Sequence, residues 1–185
     1  MVGSYDYNDE KFGRYNTAIA LRQPGSAVKP ITYATAFEQG YTPSSLVMDV
    51  ATEFPDQGGK MYAPVNYDGK FRGPVQYRFA LANSLNVPAV KVLANVGVRN
   101  FLQKAFDMGL TSFEPTQSNL KRFGLAITLG GGETTLLDLT SSFSVFARSG
   151  NRIDPVAVLE VKDHKGKVIY KASEPKMKKV LSPEV

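Results

Sequence analysis

Glycine and proline residues divide this chain into short segments, and they constrain its fold more than any other feature of the sequence. The 185 residues include 16 Gly and 11 Pro, and eight of these fall within residues 41–74. Because proline interrupts helices and central strands and glycine weakens both, no long regular element fits there. A stretch of that length in a compact domain predicts a functional loop or one that holds short strands.

Local signals predict helices on both sides of this stretch. Prolines in first turns, a capping box and glycine stops mark their ends. The predicted helices cover residues 27–39, 75–84, 88–97, 98–109 and 135–150. Strand-like patterns occur at residues 1–7, 123–129, 156–161 and 167–171, and the last two are expected to pair as a hairpin.

Composition predicts one domain and excludes several kinds of chemistry. Hydrophobic residues make up 43% of the chain, enough for one core, which is expected to include Tyr33, Phe37, Phe143 and Phe146. There is no cysteine, and His164 is the only histidine and lies in a charged turn. Zinc sites of the Cys/His type, cysteine nucleophiles and histidine triads are therefore excluded, and we expect no metal or cofactor.

Charge and hydropathy patterning predict that this segment itself contacts neither nucleic acid nor membrane. The net charge is +5, and lysines are concentrated in residues 162–179. Lysines at the edge of a hairpin discourage strand pairing, which explains them without an anionic partner. No apolar run reaches the length of a membrane span, and no signal peptide pattern is present.

The segment QPGSAVKP, residues 23–30, contains the strongest candidate for catalysis. Pro24-Gly25 predicts a turn, and Pro30 is tolerated only in the first turn of a helix, so the helix should begin near Ser26. Residues i and i+3 share a helical face, which places the Lys29 amine within reach of the Ser26 hydroxyl. A lysine with a lowered pKa can remove the proton that makes serine a weak nucleophile.

Ser-x-x-Lys is a weak pattern by itself, because the chain contains it three times. The other two pairs, in polar stretches expected to be solvated loop or tail, are Ser118/Lys121 and Ser173/Lys176. Without supporting neighbours, Ser26 is also well explained as a helix-start residue. Its assignment as a nucleophile therefore depends on the sequence around it.

That surrounding sequence resembles a known family. Ser26-x-x-Lys29 and Ser84-x-Asn86 match two of the three motifs of penicillin-binding proteins and class A β-lactamases. The longer segments RQPGSAVKP, YAPVNYDGKFRGPVQYRFALANSLNVPAVKVL and LGGGETTLLDLTSSFSVFARSG resemble the transpeptidase domain of penicillin-binding proteins, and most closely its bifunctional class A type. The resemblance covers essentially the whole chain.

The resemblance implies an α+β fold, a mostly antiparallel sheet with packed helices, and an acyl-serine reaction. Ser26 would be the nucleophile that attacks the D-Ala–D-Ala bond of a peptidoglycan stem peptide, or a β-lactam antibiotic. Lys29 would be the base, Ser84 a proton relay to the leaving amine, and Asn86 a partner of both substrate amide and Lys29. The reaction would take place outside the cytoplasm, on the outer face of the cytoplasmic membrane, and would cross-link the cell wall.

One motif of the family is missing from the chain. No Lys-Thr-Gly or Lys-Ser-Gly occurs, and residues 182–185 read as the start of a helix that does not follow. We therefore expect residues 1–185 to be a partial transpeptidase domain with impaired activity. It could need its missing C-terminal segment or another copy of the chain as a partner.

Three alternatives remain open from the sequence. A serine β-lactamase needs a water-activating acid, for which Glu114 and Glu133 are the candidates between residues 87 and 150. A non-catalytic module for wall binding or assembly would keep the fold and is favoured by the missing motif. A nucleic-acid binder is suggested by charge alone, without the basic and aromatic pattern of such proteins.

Overall fold

The computed structural model describes residues 5–55 and 61–185, which form an α+β fold. Within these ranges the α-helices are α1 Lys29–Glu38, α2 Tyr77–Ala82, α3 Asn86–Val96, α4 Val98–Asp107, α5 Gln117–Arg122 and α6 Leu136–Ala147. The β-strands are β1 Leu46–Asp49, β2 Phe54–Pro55, β3 Met61–Tyr62, β4 Gly73–Gln76, β5 Asn151–Ile153, β6 Glu160–Lys162, β7 Val168–Lys171 and β8 Met177–Lys179. Among the same residues, 3₁₀ turns lie at Gly25–Val28, Thr111–Phe113 and Leu125–Leu129.

The core is helical, and α1 and α3 lie at its centre. In α3 the sequence NVPAVKVLANV has almost no polar face, and seven of its residues are buried. Such a helix is stable only when other elements surround it. It packs against α1, α4, β1 and the Leu125–Leu129 turn, so the residues at its N-terminus are held rigidly.

All strand pairs in the described ranges are antiparallel, as expected, but they form four two-stranded sheets rather than one continuous sheet. The pairs are β1 with β4, β2 with β3, β5 with β8, and β6 with β7. The predicted hairpin at the C-terminal end is thus present as β6 and β7. The α+β class is confirmed.

Two of the predicted strand segments, residues 1–7 and 123–129, contain no strand among the described residues. Residues 1–4 of the first lie outside the described residues, and Tyr5–Tyr7 adopt turn and irregular conformations. The prediction for residues 123–129 was wrong, because this segment contains the 3₁₀ turn Leu125–Leu129. There Ile127 and Thr128 are buried in succession, which a strand with alternating faces does not allow, and Gly130 ends the turn with φ +88°.

The helix predictions were accurate in type and less so in extent. Helices α3, α4 and α6 lie within one or two residues of their predicted starts. Helix α2 begins at Tyr77 instead of residue 75, because Val75 and Gln76 belong to β4 and pair with β1. Tyr33 is fully buried as expected, whereas Phe143 is 39% exposed and is not a core residue.

Phe113 should contribute strongly to stability. It is fully buried between Phe101 and Phe123, with ring centroids 6.1 Å and 5.8 Å away. Phe113→Ala is expected to lower the free energy of unfolding by about 3–5 kcal/mol because it leaves a cavity. Urea unfolding measures this, with Phe143→Ala as the matched exposed control; equal losses for the two variants would contradict the packing described here.

Candidate active site

Ser26 lies on a tight turn that leads directly into α1. Gly25 adopts φ +59° and begins the 3₁₀ turn Gly25–Val28, after which α1 begins at Lys29. The helical region therefore starts beside Ser26, and Pro30 occupies the first turn of α1, as the sequence indicated. The Ser26 side chain is exposed, whereas Lys29 is only 1% exposed.

The buried Lys29 ammonium group donates hydrogen bonds to three acceptors from the connection between α2 and α3. Its Nζ lies 2.5 Å from the Ser84 carbonyl oxygen, 3.1 Å from Ser84 Oγ and 2.7 Å from Asn86 Oδ1. An ammonium group has three N–H donors, so all of them are used. The structure thus brings together Lys29, Ser84 and Asn86, three of the four residues singled out in the sequence.

Ser26 is the fourth residue, and it is linked to the others through the backbone. The Lys29 N–H donates to the Ser26 carbonyl oxygen, so the two residues share one turn. In the described part of the chain, no hydrogen bond joins the Ser26 hydroxyl to the Lys29 ammonium. The three N–H groups of the Lys29 ammonium already donate to Ser84 and Asn86, so none is left for the Ser26 hydroxyl.

Burial changes the acid–base properties of Lys29. Desolvation disfavours the charged form and lowers the pKa of Lys29 from 10.5 to about 8. The three acceptors are all neutral oxygens, so no carboxylate contact counteracts this effect. A neutral amine is therefore accessible at the mildly alkaline end of the physiological range.

The backbone between α2 and α3 presents Ser84 and Asn86 to Lys29. Ser84 has φ +51°, a conformation that is rare for a residue with a side chain and is often found at functional sites. The Leu85 N–H donates to the Ala80 carbonyl at 2.9 Å, which closes the tight connection. Asn86 is the first residue of α3.

Two residues of this site were missed or undervalued in the sequence. Asn66, whose segment PVNYDG is typical of a turn, is 3% exposed, and its Oδ1 accepts hydrogen bonds from the N–H groups of Asn86 and Val87. Asp49 is fully buried and accepts hydrogen bonds from Asn66 Nδ2. A lone acid in the apolar stretch LVMDV was the available signal for Asp49, because a buried carboxylate needs partners.

The GGGETT segment lies against the turn that bears Ser26. Arg22 and Thr134 exchange two backbone hydrogen bonds, of 2.9 Å and 3.0 Å. Gly130 approaches so closely that a Cβ at this position would overlap the backbone of Gly25. The two glycines therefore fix the position of the turn through direct backbone contact.

The remaining candidate residues lie outside this cluster. The Ser118/Lys121 pair lies on α5, where no residue is buried, and Ser173 and Lys176 lie beside β8. Glu133 is exposed and pairs with Arg122 at 3.5 Å. In the described ranges, no hydrogen bond joins the Glu114 or Glu133 carboxylate to Ser26.

A metal-binding cluster and a membrane-spanning helix are both absent from the described residues. In residues 5–55 and 61–185, no three His, Cys, Asp or Glu side chains are grouped to hold a metal ion. None of the helices described above has the length and apolar character needed to cross a lipid bilayer.

Comparison with known proteins identifies the family. Residues 1–185 match the family of the penicillin binding protein transpeptidase domain. Penicillin-binding protein 1A of Rickettsia bellii is 37% identical over 183 residues, and that of Neisseria lactamica is 33% identical over 170 residues. These matches cover 94% and 91% of this chain. The chain belongs to the penicillin-binding protein transpeptidase family.

The matched region is a small part of those relatives. It spans 21% of the Rickettsia protein and 20% of the Neisseria protein. Among solved structures, penicillin-binding protein 1A from Haemophilus influenzae has a TM-score of 0.78 at 28% identity, covering 95% of this chain and 25% of that chain. Penicillin-binding protein A from M. tuberculosis, an imipenem acyl-enzyme complex, has a TM-score of 0.77 at 22% identity, covering 95% of this chain and 44% of that chain, and supports the fold.

The contact between Gly130 and Gly25 predicts a specific sensitivity. Gly130→Ala adds a Cβ at φ +88° that overlaps backbone, so we expect a loss of about 2–5 kcal/mol in the free energy of unfolding. Gly166→Ala is the matched control, because Gly166 has φ +81° and open space around it. The control should lose only about 1–2 kcal/mol, the conformational part. Equal losses in urea unfolding would show that the close contact is unimportant.

Proposed function

We propose that this chain provides the nucleophile, base and proton relay of a peptidoglycan D,D-transpeptidase that works through an acyl-serine intermediate. The observation that carries the proposal is the buried Lys29 amine, one turn from Ser26 and hydrogen-bonded to Ser84 and Asn86. The names of the relatives, penicillin-binding proteins, support the same reaction class.

The first step is acylation of Ser26. Deprotonated Lys29 has a lone pair and takes the Ser26 hydroxyl proton as Oγ attacks the carbonyl carbon of the D-Ala–D-Ala bond. As the second residue of a 3₁₀ turn, Ser26 has a backbone N–H with no partner inside the turn. That N–H can stabilise the negative charge on the carbonyl oxygen.

Ser84 is suited to move the proton onward. Its hydroxyl receives a hydrogen bond from Lys29 at 3.1 Å, the longest of the three. When the lysine is neutral, this hydrogen bond can reverse, because a hydroxyl both donates and accepts. Ser84 can then donate to the leaving amine as the C–N bond breaks, and Lys29 can replace that proton. An amine of a second stem peptide then takes the acyl group from Ser26.

The substrate places the reaction outside the cytoplasm. Peptidoglycan stem peptides and β-lactams are the proposed partners. The proposed location of the reaction is the outer face of the bacterial cytoplasmic membrane. The proposed steps use protein groups alone. A β-lactamase would require rapid hydrolysis of the Ser26 ester, which the test below distinguishes.

A covalent adduct tests the proposal. The protein, expressed at its full encoded length, is incubated with benzylpenicillin and its intact mass is measured. The lactam C–N bond opens and the whole antibiotic adds to Ser26, so the mass should rise by that of one penicillin and stay raised. Ser26→Ala should give no adduct, and Lys29→Arg should react more slowly by about 10²-fold or more, because arginine stays protonated. An adduct on Ser26→Ala, or rapid turnover of penicillin, would contradict the transpeptidase assignment.

The pKa of Lys29 predicts the pH dependence of acylation. Because the base must be neutral, the acylation rate constant should rise with pH and level off above a midpoint of about 8. Asn86→Asp places a carboxylate where Asn86 Oδ1 now lies, 2.7 Å from Nζ, which favours the ammonium form. The midpoint should therefore move to higher pH in that variant and stay unchanged in the control Asn83→Asp, whose side chain contacts Phe79 instead. A rate that is independent of pH between 6 and about 10 would exclude Lys29 as the base.

A further inference from the structure

A buried carboxylate and a buried amide lie directly behind the Lys29 site. Asp49, at the end of β1, is fully buried, and its oxygens lie 2.8 Å and 3.0 Å from Asn66 Nδ2. The Arg72 N–H also donates to Asp49 at 3.1 Å, and the Arg72 guanidinium lies 3.9 Å away. None of these groups takes part in the proton transfers proposed above.

The carboxylate determines which way the Asn66 amide faces. An ionised carboxylate only accepts hydrogen bonds, so the Asn66 NH₂ group must face Asp49. The same NH₂ group also donates to the Lys70 carbonyl at 2.8 Å. Asn66 Oδ1 is thereby directed to the start of α3, where it accepts from the Asn86 N–H at 2.8 Å and the Val87 N–H at 3.2 Å.

The same loop also holds the Asn86 side chain. Asn86 Nδ2 donates to the Val65 carbonyl at 2.9 Å, which leaves its Oδ1 facing Lys29 Nζ at 2.7 Å. Residues 65 and 66 therefore fix Asn86 at both its backbone and its amide. An unbroken series of hydrogen bonds runs from Asp49 through Asn66 and Asn86 to the Lys29 amine.

We propose that Asp49 and Asn66 are positioning residues for the Lys29 base. They hold the start of α3 and the Asn86 amide so that the lysine amine stays within reach of Ser26 and Ser84. The inference rests on the proposed acyl-serine function and extends it to two residues that touch neither substrate nor the reacting atoms.

The buried carboxylate of Asp49 supports a role for this residue beyond filling space. A buried carboxylate costs free energy unless it is paired, and a neutral side chain of the same size would pack equally well. Asp49 is compensated by its contacts with Arg72 and by Lys91, whose Nζ donates to the neighbouring Met48 carbonyl at 2.7 Å. An amide at position 49 could turn its NH₂ group toward Asn66, whereas both oxygens of a carboxylate are acceptors in either orientation.

An exchange of the two side chains tests the proposal. Asn66→Asp puts two carboxylates in contact, and we expect benzylpenicillin acylation of the full-length protein to slow by about 10–100-fold. The double variant Asp49→Asn/Asn66→Asp separates the two carboxylates again and restores a hydrogen bond between positions 49 and 66, although the Lys70 carbonyl still lacks the donor that Asn66 Nδ2 provides in the wild type. The new amide at position 49 donates to the new carboxylate at position 66, which still accepts from the two N–H groups of α3. The double variant should therefore react faster than Asn66→Asp, but more slowly than the wild type.

Coupling to Asn86 separates positioning from general stabilisation. If Asn66 acts through Asn86, the variant Asn66→Ala/Asn86→Ala should react no more slowly than Asn86→Ala alone. Melting temperatures are measured for every variant, and the control is Asn83→Ala, an exposed asparagine before α3 that should react at the wild-type rate. Additive rate losses, no recovery in the exchange variant, or lower melting temperatures with unchanged rates would each overturn the positioning role.

The same experiment distinguishes failure of this inference from failure of the proposed function. If the wild type is acylated and Ser26→Ala is not, the proposed function is upheld. Unchanged acylation rates in the variants at positions 49 and 66 would then refute only the positioning role. If wild-type protein forms no adduct, the acyl-serine function fails, and the positioning role fails with it.

Discussion

Burial of the Lys29 ammonium group is the interaction on which the rest of this site depends. A charged amine removed from water is costly, and here the cost is offset by three neutral oxygen acceptors rather than by a carboxylate. The choice of partner matters chemically, because a carboxylate would hold the lysine protonated. With neutral acceptors, desolvation prevails and the pKa falls to about 8, where a lysine can act as a base.

These acceptors are placed by structure well beyond the helix that carries the lysine. Ser84 and Asn86 lie at the start of α3, which is buried along most of its length, and the loop at residues 65–66 holds Asn86 from the other side. On the opposite flank, contact between Gly130 and Gly25 sets the position of the turn bearing Ser26. The segment of residues 65–72, between β3 and β4, is thus a structural part of the site.

Local structure was predictable wherever one strong local signal decided it. The start of α1 followed from Pro24, Gly25 and Pro30, and the end of α3 from Gly97. Predictions failed where tertiary contacts prevailed. Residues 125–129 have strand-like composition but form a 3₁₀ turn in the helical core, and Val75 and Gln76 joined β4 because β1 was available to pair. Phe143 was predicted to be a core residue, but in the folded protein 39% of it remains exposed because few other residues cover this part of α6.

The sequence by itself determined that Ser26 and Lys29 share one turn, that Ser84 and Asn86 are two residues apart where one predicted helix ends and before the next begins, and that cysteine nucleophiles and histidine triads are excluded. Spacing within a helix or a turn fixes such neighbours locally. Only the tertiary structure brought the two segments together, 55 residues apart in sequence, and gave Asn66 and Asp49 their places behind them. Hydrogen bonds between distant residues leave no periodic pattern in a single sequence, so an asparagine that holds the start of a distant helix cannot be distinguished there from an ordinary turn residue.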